Sequence, residues 1–307
     1  MAVIKPFKSI RPRKGLEDKI AALPYDVYNR SEAKQAVKDN PLSFLNIDRP
    51  ETQYDDDFDM YSDESYQTAA RLLDGMLERT EYIRDDKAYY YIYELTMNGR
   101  AQTGIVAVAS VDDYINETIK KHENTRADKE LDRIRHVDTL SKQTGPIFLA
   151  YKSNEAINSI VDKVKTTEPL YDFVSDDLIS HRVWIICDSD DISCIQDAFS
   201  TINSIYIADG HHRCASAVKV SLKRRQEKPD YTGDEEFNYF LSVLFPDNQL
   251  MIMDYNRVIK DLNGKTEAEI IDELKKVGTL TTLNSEDKHP VKKGDVSVYI
   301  GSTWYTL

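Results

Sequence analysis

"SIYIADGHHRCASAVKV", Ser204 to Val220, reads as a strand that enters a helix through a single glycine. A run of apolar residues halts at Asp209-Gly210, two histidines and an arginine follow, and the apolar pattern resumes at helical spacing. A helix opened this way leaves its first N–H groups without intrahelical partners, and their partial positive charge accepts an anion. Gly210 permits an unusual φ and close backbone approach. Arg213 can form a bidentate pair with a phosphate. His211 and His212 can donate hydrogen bonds or, when neutral, bind a metal, and Asp209 can hold magnesium or take a proton. The helix dipole contributes only about 0.3–1 kcal/mol when exposed, so arginine and metal must supply most of the charge stabilisation. The ordinary alternative makes Asp209 a helix cap and Arg213 the partner of a core carboxylate. Acid, glycine, two histidines and arginine in succession favour the functional reading, in a chain with only six histidines.

Working outward, "HRVWIICDS" and "GPIFLAYKS" read as strands, each followed by a helix, at Asp191–Phe199 and Asn154–Lys165. "KAYYYIYELTMNGRAQTGIVAVASV" reads as two strands joined at Asn98-Gly99, a strong hairpin signal. Ala69, Leu72, Leu73, Met76 and Leu77 mark one helical face between Tyr66 and Tyr82. Leu131, Ile134, Val137 and Leu140 mark another. "ALPYDVYNRSEA" is extended, with a helix start at Ser31. "NYFLSVLFPDNQLMIMDYNRVI" suggests a hairpin around Pro246-Asp247-Asn248, "TEAEIIDELKKV" an amphipathic helix, and "DVSVYIGSTWYTL" a closing hairpin. Helices and strands alternate, but short turns join several strand pairs. The expected fold class is therefore α+β with mixed sheets rather than a doubly wound parallel sheet. The expected division is an N-terminal α+β region, 1–115, and a region carrying the chemistry, 116–307.

Composition narrows the function classes. The 307 residues are 41% hydrophobic and 30% charged, enough for a real core, and carry a net charge of −13. Such a chain repels a phosphate backbone at long range, which weighs against nucleic acid as a partner. One basic cluster, Lys223-Arg224-Arg225 with Lys228, reads as a solvated helix end. Three cysteines without a CxxC pair suggest neither a disulfide framework nor a structural zinc site. The first residues lack a signal-peptide core, and the longest apolar runs are strand-sized, so a cytoplasmic protein without a membrane partner is expected. Phosphate motifs of the GxGxxG and GxxxxGK[ST] types are absent, as are HExxH and GxSxG.

Two further stretches can bear chemistry. "KHENTRADKELDR", Lys121 to Arg133, sets His122 beside Glu123, with Thr125, Arg126 and Arg133 close by. A carboxylate near a histidine is a candidate general base, although a solvated helix face is the more ordinary reading. "LPYDVYN", Leu23 to Asn29, offers Asp26, a site residue or a turn residue.

These residues carry a resemblance. "LPYDVYNRSEA", "KHENTRADKELDRI", "GPIFLAY" and "IYIADGHHRCASA" stand in the order seen in the bacterial and archaeal family called domain of unknown function 1015, and the resemblance covers nearly the whole chain. Members continue past the point where this chain stops, which implies a piece of a longer protein. More distantly, "DGHHR" resembles the phosphate-binding turn of the ParB/sulfiredoxin-like fold, which includes partition proteins, sulfiredoxins and free serine kinases. The resemblance implies Glu123, with His122 beside it, as base for a serine hydroxyl and Asp209 as assisting acid and magnesium ligand. Gly210, His211, His212 and Arg213 would hold phosphates, with Thr125 and Arg126 beside them. The chain departs from the kinases in its long N-terminal region and in the wide spacing between the HE pair and the turn.

The expectation is an enzyme moving a phosphoryl group between serine and AMP, ADP or water, with Mg²⁺ and a small phosphorylated substrate. The family's association with serine biosynthesis supports phosphoserine as that substrate. Two other readings stand beside it. One is a non-catalytic ParB-like regulator that binds nucleotide or nucleic acid. The other is a metal-dependent hydrolase with Asp209, His211 and His212 as ligands.

Overall fold

A two-residue turn at Asn98-Gly99 starts the principal sheet. Both residues take positive φ, 51° and 76°, a conformation that Asn-Gly adopts at little cost. The computed structural model describes residues 1–286 and 288–307. Among them, nine strands form one sheet: β1 (Ile4–Lys5), β2 (Tyr90–Met97), β3 (Arg100–Ser110), β4 (Ile119–Lys120), β5 (Ile147–Tyr151), β6 (Tyr171–Val174), β7 (Ser180–Ile186), β8 (Ile205–Asp209) and β9 (Tyr239–Pro246). Their order is β4–β8–β5–β9–β3–β2–β7–β6, with β1 also paired to β3. β8 is parallel to β4 and β9 to β5, and the remaining pairs are antiparallel. The architecture is thus mixed α+β, as the short strand connections predict.

Helices α1 (Arg30–Val37), α2 (Leu45–Asp48), α3 (Asp63–Glu78), α4 (Ala127–Leu140), α5 (Glu155–Lys165), α6 (Ser189–Ser200) and α7 (His211–Glu227) supply the surrounding layers. The larger apolar core joins Ile105, Leu149, Phe240 and Leu244 of the sheet to Ile157 of α5, Phe199 of α6, and Cys214 and Val218 of α7. Each fully buried Leu, Ile or Phe there is worth about 1.5–3 kcal/mol relative to exposure. A second cluster joins Ile47 of α2, Leu73 and Met76 of α3, and Leu140 of α4. α4 therefore packs on α3 along one side and on α7 along the other. That position carries the segment just before α4 to the start of α7.

The hairpin expected around Pro246-Asp247-Asn248 does not form. Asp247–Gln249 makes a short 3₁₀ turn, and residues 250–259 contain no strand. β9 already has β3 on one edge and β5 on the other, so no ladder remains for a returning strand. Instead Asp247 accepts from the Ser153 N–H, and Gln249 accepts from the Thr103 N–H. α1 also starts earlier than Ser31. Its cap is Asn29, which accepts from the Glu32 N–H while Glu32 returns a bond to the Asn29 N–H.

The chain divides into two units, Met1–Leu250 and Met251–Leu307, and strands from both sides of residue 115 share the principal sheet. The second unit contains a helix, Glu267–Val277, capped by Thr266. It also contains an antiparallel sheet in which Thr303–Thr306 lies between Thr281–Thr282 and Ser297–Ile300. The closing hairpin is as expected from the sequence.

β3 and β9 meet closely at Gly104, where a Cβ would lie 2.8 Å from the Phe245 ring and 2.9 Å from the Leu244 carbonyl oxygen. The backbone oxygen cannot move without disturbing the ladder. Gly104→Ala is expected to destabilise the protein by about 1–3 kcal/mol. Urea unfolding checks this, and an unchanged midpoint would contradict the tight strand contact.

Candidate functional site

β8 ends at Asp209, and Gly210 turns the chain into α7 with φ +93°, a left-handed conformation open to glycine. A methyl group at Gly210 would lie 3.2 Å from Nε and Nη2 of Arg213, and one at Gly145 would lie 3.2 Å from Nη1. The guanidinium therefore folds back over two glycines. Its Nη2 donates to Asp209 Oδ2 at 2.8 Å and its Nη1 to the Pro146 carbonyl at 2.7 Å. Arg213 has a partner, as the ordinary reading required, but that partner is the exposed Asp209 of the same turn rather than a core carboxylate. No side chain caps the start of α7.

The Lys121–Arg126 segment comes to this turn. The His122 N–H donates to His211 Nε2 at a long 3.5 Å, and the two rings stand edge to face with centroids 4.4 Å apart. The Arg126 N–H donates to His212 Nε2 at 3.0 Å. Both histidines thus staple the segment to α7 by accepting from its backbone. With Nε2 accepting, His211 carries its proton on Nδ1, which faces Glu123 Oε2 at 3.7 Å. The carboxylate and the turn, far apart in sequence, share one surface. Glu123 stays 63% exposed, so a substrate can reach it, whereas His211 is buried. Burial first, then the neighbouring His122, holds His211 below the ordinary histidine range, against the opposing pull of Glu123 and Asp209.

The remaining expected residues divide. Thr125 donates to Glu130 Oε2 at 2.7 Å and so closes the start of α4. Arg133 is buried, pairs with Asp132 at 2.9 Å, and lies under the Tyr25 ring at 4.1 Å. With Asp26, which is exposed, it lines a separate cavity. Among the described residues no three His, Cys, Asp or Glu side chains are gathered to hold a metal ion, so Asp209, His211 and His212 do not make the three-ligand set expected for a metal hydrolase. Cys214, one turn into α7, is buried, and burial pushes its thiol up, away from nucleophilic use.

The sequence did not single out Glu130, Lys219 or Ser216. Glu130 forms an ion pair with Lys219, and its backbone carbonyl lies 3.2 Å from Ser216 Oγ, which also donates to the His212 carbonyl at 2.7 Å. Burial alone would raise the Glu130 carboxyl, but Lys219 and Thr125 bring it below the usual range. This contact between helices has no local sequence signal. The basic cluster is internally neutralised: Lys223 and Arg224 pair with Asp138, Arg225 with Asp112, and Lys228 with Glu235.

Residues 4–307 match the model of one family, described as Protein of unknown function (DUF1015). No curated protein and no solved structure matches the chain.

The lowered His211 pKa has a signed consequence. The folded ring binds a proton less readily than the unfolded chain, so its contribution to stability is present at neutral pH. That contribution declines once pH falls below the unfolded value, about 6.5, and is lost as pH falls through the lower folded value. A protonated Nε2 also cannot accept from His122. Hydrogen exchange at the His122 amide, corrected for its intrinsic rate, is expected to accelerate as pH falls through the lowered folded value of His211, below about 6.5. His211→Gln, which can accept without titrating, should abolish that pH dependence. Wild-type protection that ignores pH would remove the histidine staple.

Proposed function

The chain belongs to that family of proteins of unknown function, and we propose that its Asp209–Arg213 turn and Lys121–Arg126 segment form a phosphoryl-transfer site acting on serine or phosphoserine. The observation that carries this reading is the approach of the Glu123 carboxylate to His211 Nδ1, 3.7 Å, at the uncapped start of a 17-residue helix. On this reading a base candidate, an arginine and an anion-accepting helix end serve the same substrate. We read β8, Gly210 and α7 as a phosphate-binding turn of the ParB/sulfiredoxin-like kind.

On this reading the phosphate sits against the first N–H groups of α7 and within reach of Arg213. Glu123 takes the proton from the serine oxygen in the kinase direction and returns one to it in the dephosphorylating direction. His211 orients that carboxylate. Gly210 keeps the approach to the backbone open. Asp209 is exposed, and a single carboxylate plus substrate phosphate oxygens is a donor set that suits magnesium. Bound there, Mg²⁺ would neutralise charge on the transferring group. The acceptor is water or an adenine nucleotide. Transfer of this kind depends on positioning and charge stabilisation, not on a strong nucleophile. The nucleic-acid alternative draws no support from the 223–228 cluster, because those cations are paired with carboxylates.

The experiment is incubation of the full-length protein with O-phospho-L-serine and Mg²⁺, with and without AMP or ADP, measuring free serine. Turnover is expected, and Glu123→Gln and Arg213→Ala should each lower kcat/KM about 100-fold or more. Thermal melting checks that both variants fold. No turnover by the wild-type protein under any of these conditions overturns the proposal.

A further inference from the structure

A second cavity, of about 260 Å³, opens where the Tyr25–Val27 turn, α2, α3 and α4 meet. A water takes about 30 Å³ of liquid, so the space suits a small metabolite or several waters. It is lined by polar side chains whose pairings can be followed one by one. Arg49 is tied into the wall: its Nε pairs with Glu51 at 2.5 Å and its Nη1 donates to the Tyr25 and Tyr28 carbonyls. Arg133 pairs with Asp132, which also accepts from the Tyr66 hydroxyl at 2.9 Å.

With those two pairs matched, Asp48 is the surplus charge, half-buried with its side chain 15% exposed. It accepts from Thr144 Oγ1 at 2.9 Å, with the Arg133 guanidinium 4.0 Å away and the neutral His136 ring 3.9 Å away. Two more acceptors stand beside it. His136 Nε2 donates to the Ile47 carbonyl at 3.1 Å, which leaves Nδ1 as a bare acceptor. That Nδ1 and the Ser65 hydroxyl are buried without a hydrogen-bond partner, on residues that are each 1% exposed. Buried groups of this kind in native proteins signal a missing partner.

A carboxylate and a bare imidazole nitrogen need donors, and the Ser65 hydroxyl beside them can accept as well as donate. An anionic ligand brings only acceptors and would meet Asp48 with like charge. A protonated amine brings three donors, no acceptor and the matching charge. We propose that this cavity binds a small metabolite through a primary ammonium group, with Asp48 as counter-charge and His136 and Ser65 as hydrogen-bond acceptors. The inference requires neither Glu123 nor Arg213 and stands apart from phosphoryl transfer.

The test is calorimetric titration of the full-length protein, without phosphate or magnesium, using ethanolamine and putrescine. Ethylene glycol and L-lactate serve as neutral and anionic counterparts. Saturable binding of at least one amine, with none for the counterparts, is expected. Asp48→Asn and Ser65→Ala should weaken that amine, the former about ten-fold or more. If no amine saturates, or if glycol or lactate binds as well, the cavity holds only water or has another ligand class, and the proposal falls. The wild-type comparison keeps this outcome decisive even if Asp48→Asn fails to fold.

Discussion

The hold of α7 on α4 is the contact on which the candidate site depends. Lys219 meets the Glu130 carboxylate, and Ser216 Oγ, whose shorter bond goes to the His212 carbonyl at 2.7 Å, lies 3.2 Å from the Glu130 carbonyl. Both contacts fix the first turn of α4, and the segment that precedes it is then within reach of His211 and His212. A slide of one residue along α4 is about 1.5 Å. The His122 and Arg126 amides, already at 3.5 and 3.0 Å from their imidazole acceptors, could not follow it without breaking. Glu130 is a strong anchor because it is buried: removing its partner would leave an uncompensated charge, a much larger penalty than the loss of a surface pair.

The histidines change meaning in this light. In the sequence they look like ligands beside an acid. In the folded chain each spends Nε2 on a backbone N–H, and their first service is to position a neighbouring loop. Arg213 is similar. It is drawn over Gly210 and Gly145 by Asp209 and Pro146, so the turn is preorganised before any anion arrives. The glycines have a steric reason to be there that does not depend on a bound phosphate.

Where a feature was legible in the sequence, its cause was local. Asn98-Gly99 dictates its own turn, the apolar stripe from Ala69 to Leu77 dictates α3, and Asp209-Gly210 marks the strand-to-helix junction. Features that the sequence does not disclose have causes from afar. The Pro246-Asp247-Asn248 turn fails to make a hairpin because β3 and β5 already occupy both edges of β9. Thr125 has the look of a phosphate contact until Glu130 claims it, and Arg133 that of a site residue until Asp132 and Tyr25 do. Helix α1 begins one residue before Ser31 because Asn29 and Ser31 are both good caps, and only the reciprocal bonds with Glu32 decide between them.

The Asp209–Arg213 pair also bears on how the proposed chemistry would be gated. At 2.8 Å, between an exposed carboxylate and a half-buried guanidinium, this pair holds the turn with little energy, about 0–1 kcal/mol. A phosphate dianion arriving at the start of α7 presents more charge to the guanidinium than one carboxylate does. Arg213 would turn toward the phosphate, and Asp209 would lose its cation just as magnesium arrives with the substrate. One weak pair can then answer two needs. It keeps both side chains ordered in the empty turn, and it releases the carboxylate only when there is a charge for the metal to neutralise. The weakness of the pair is therefore a requirement of the proposed site, since a buried, fully desolvated pair in the same place would resist the exchange.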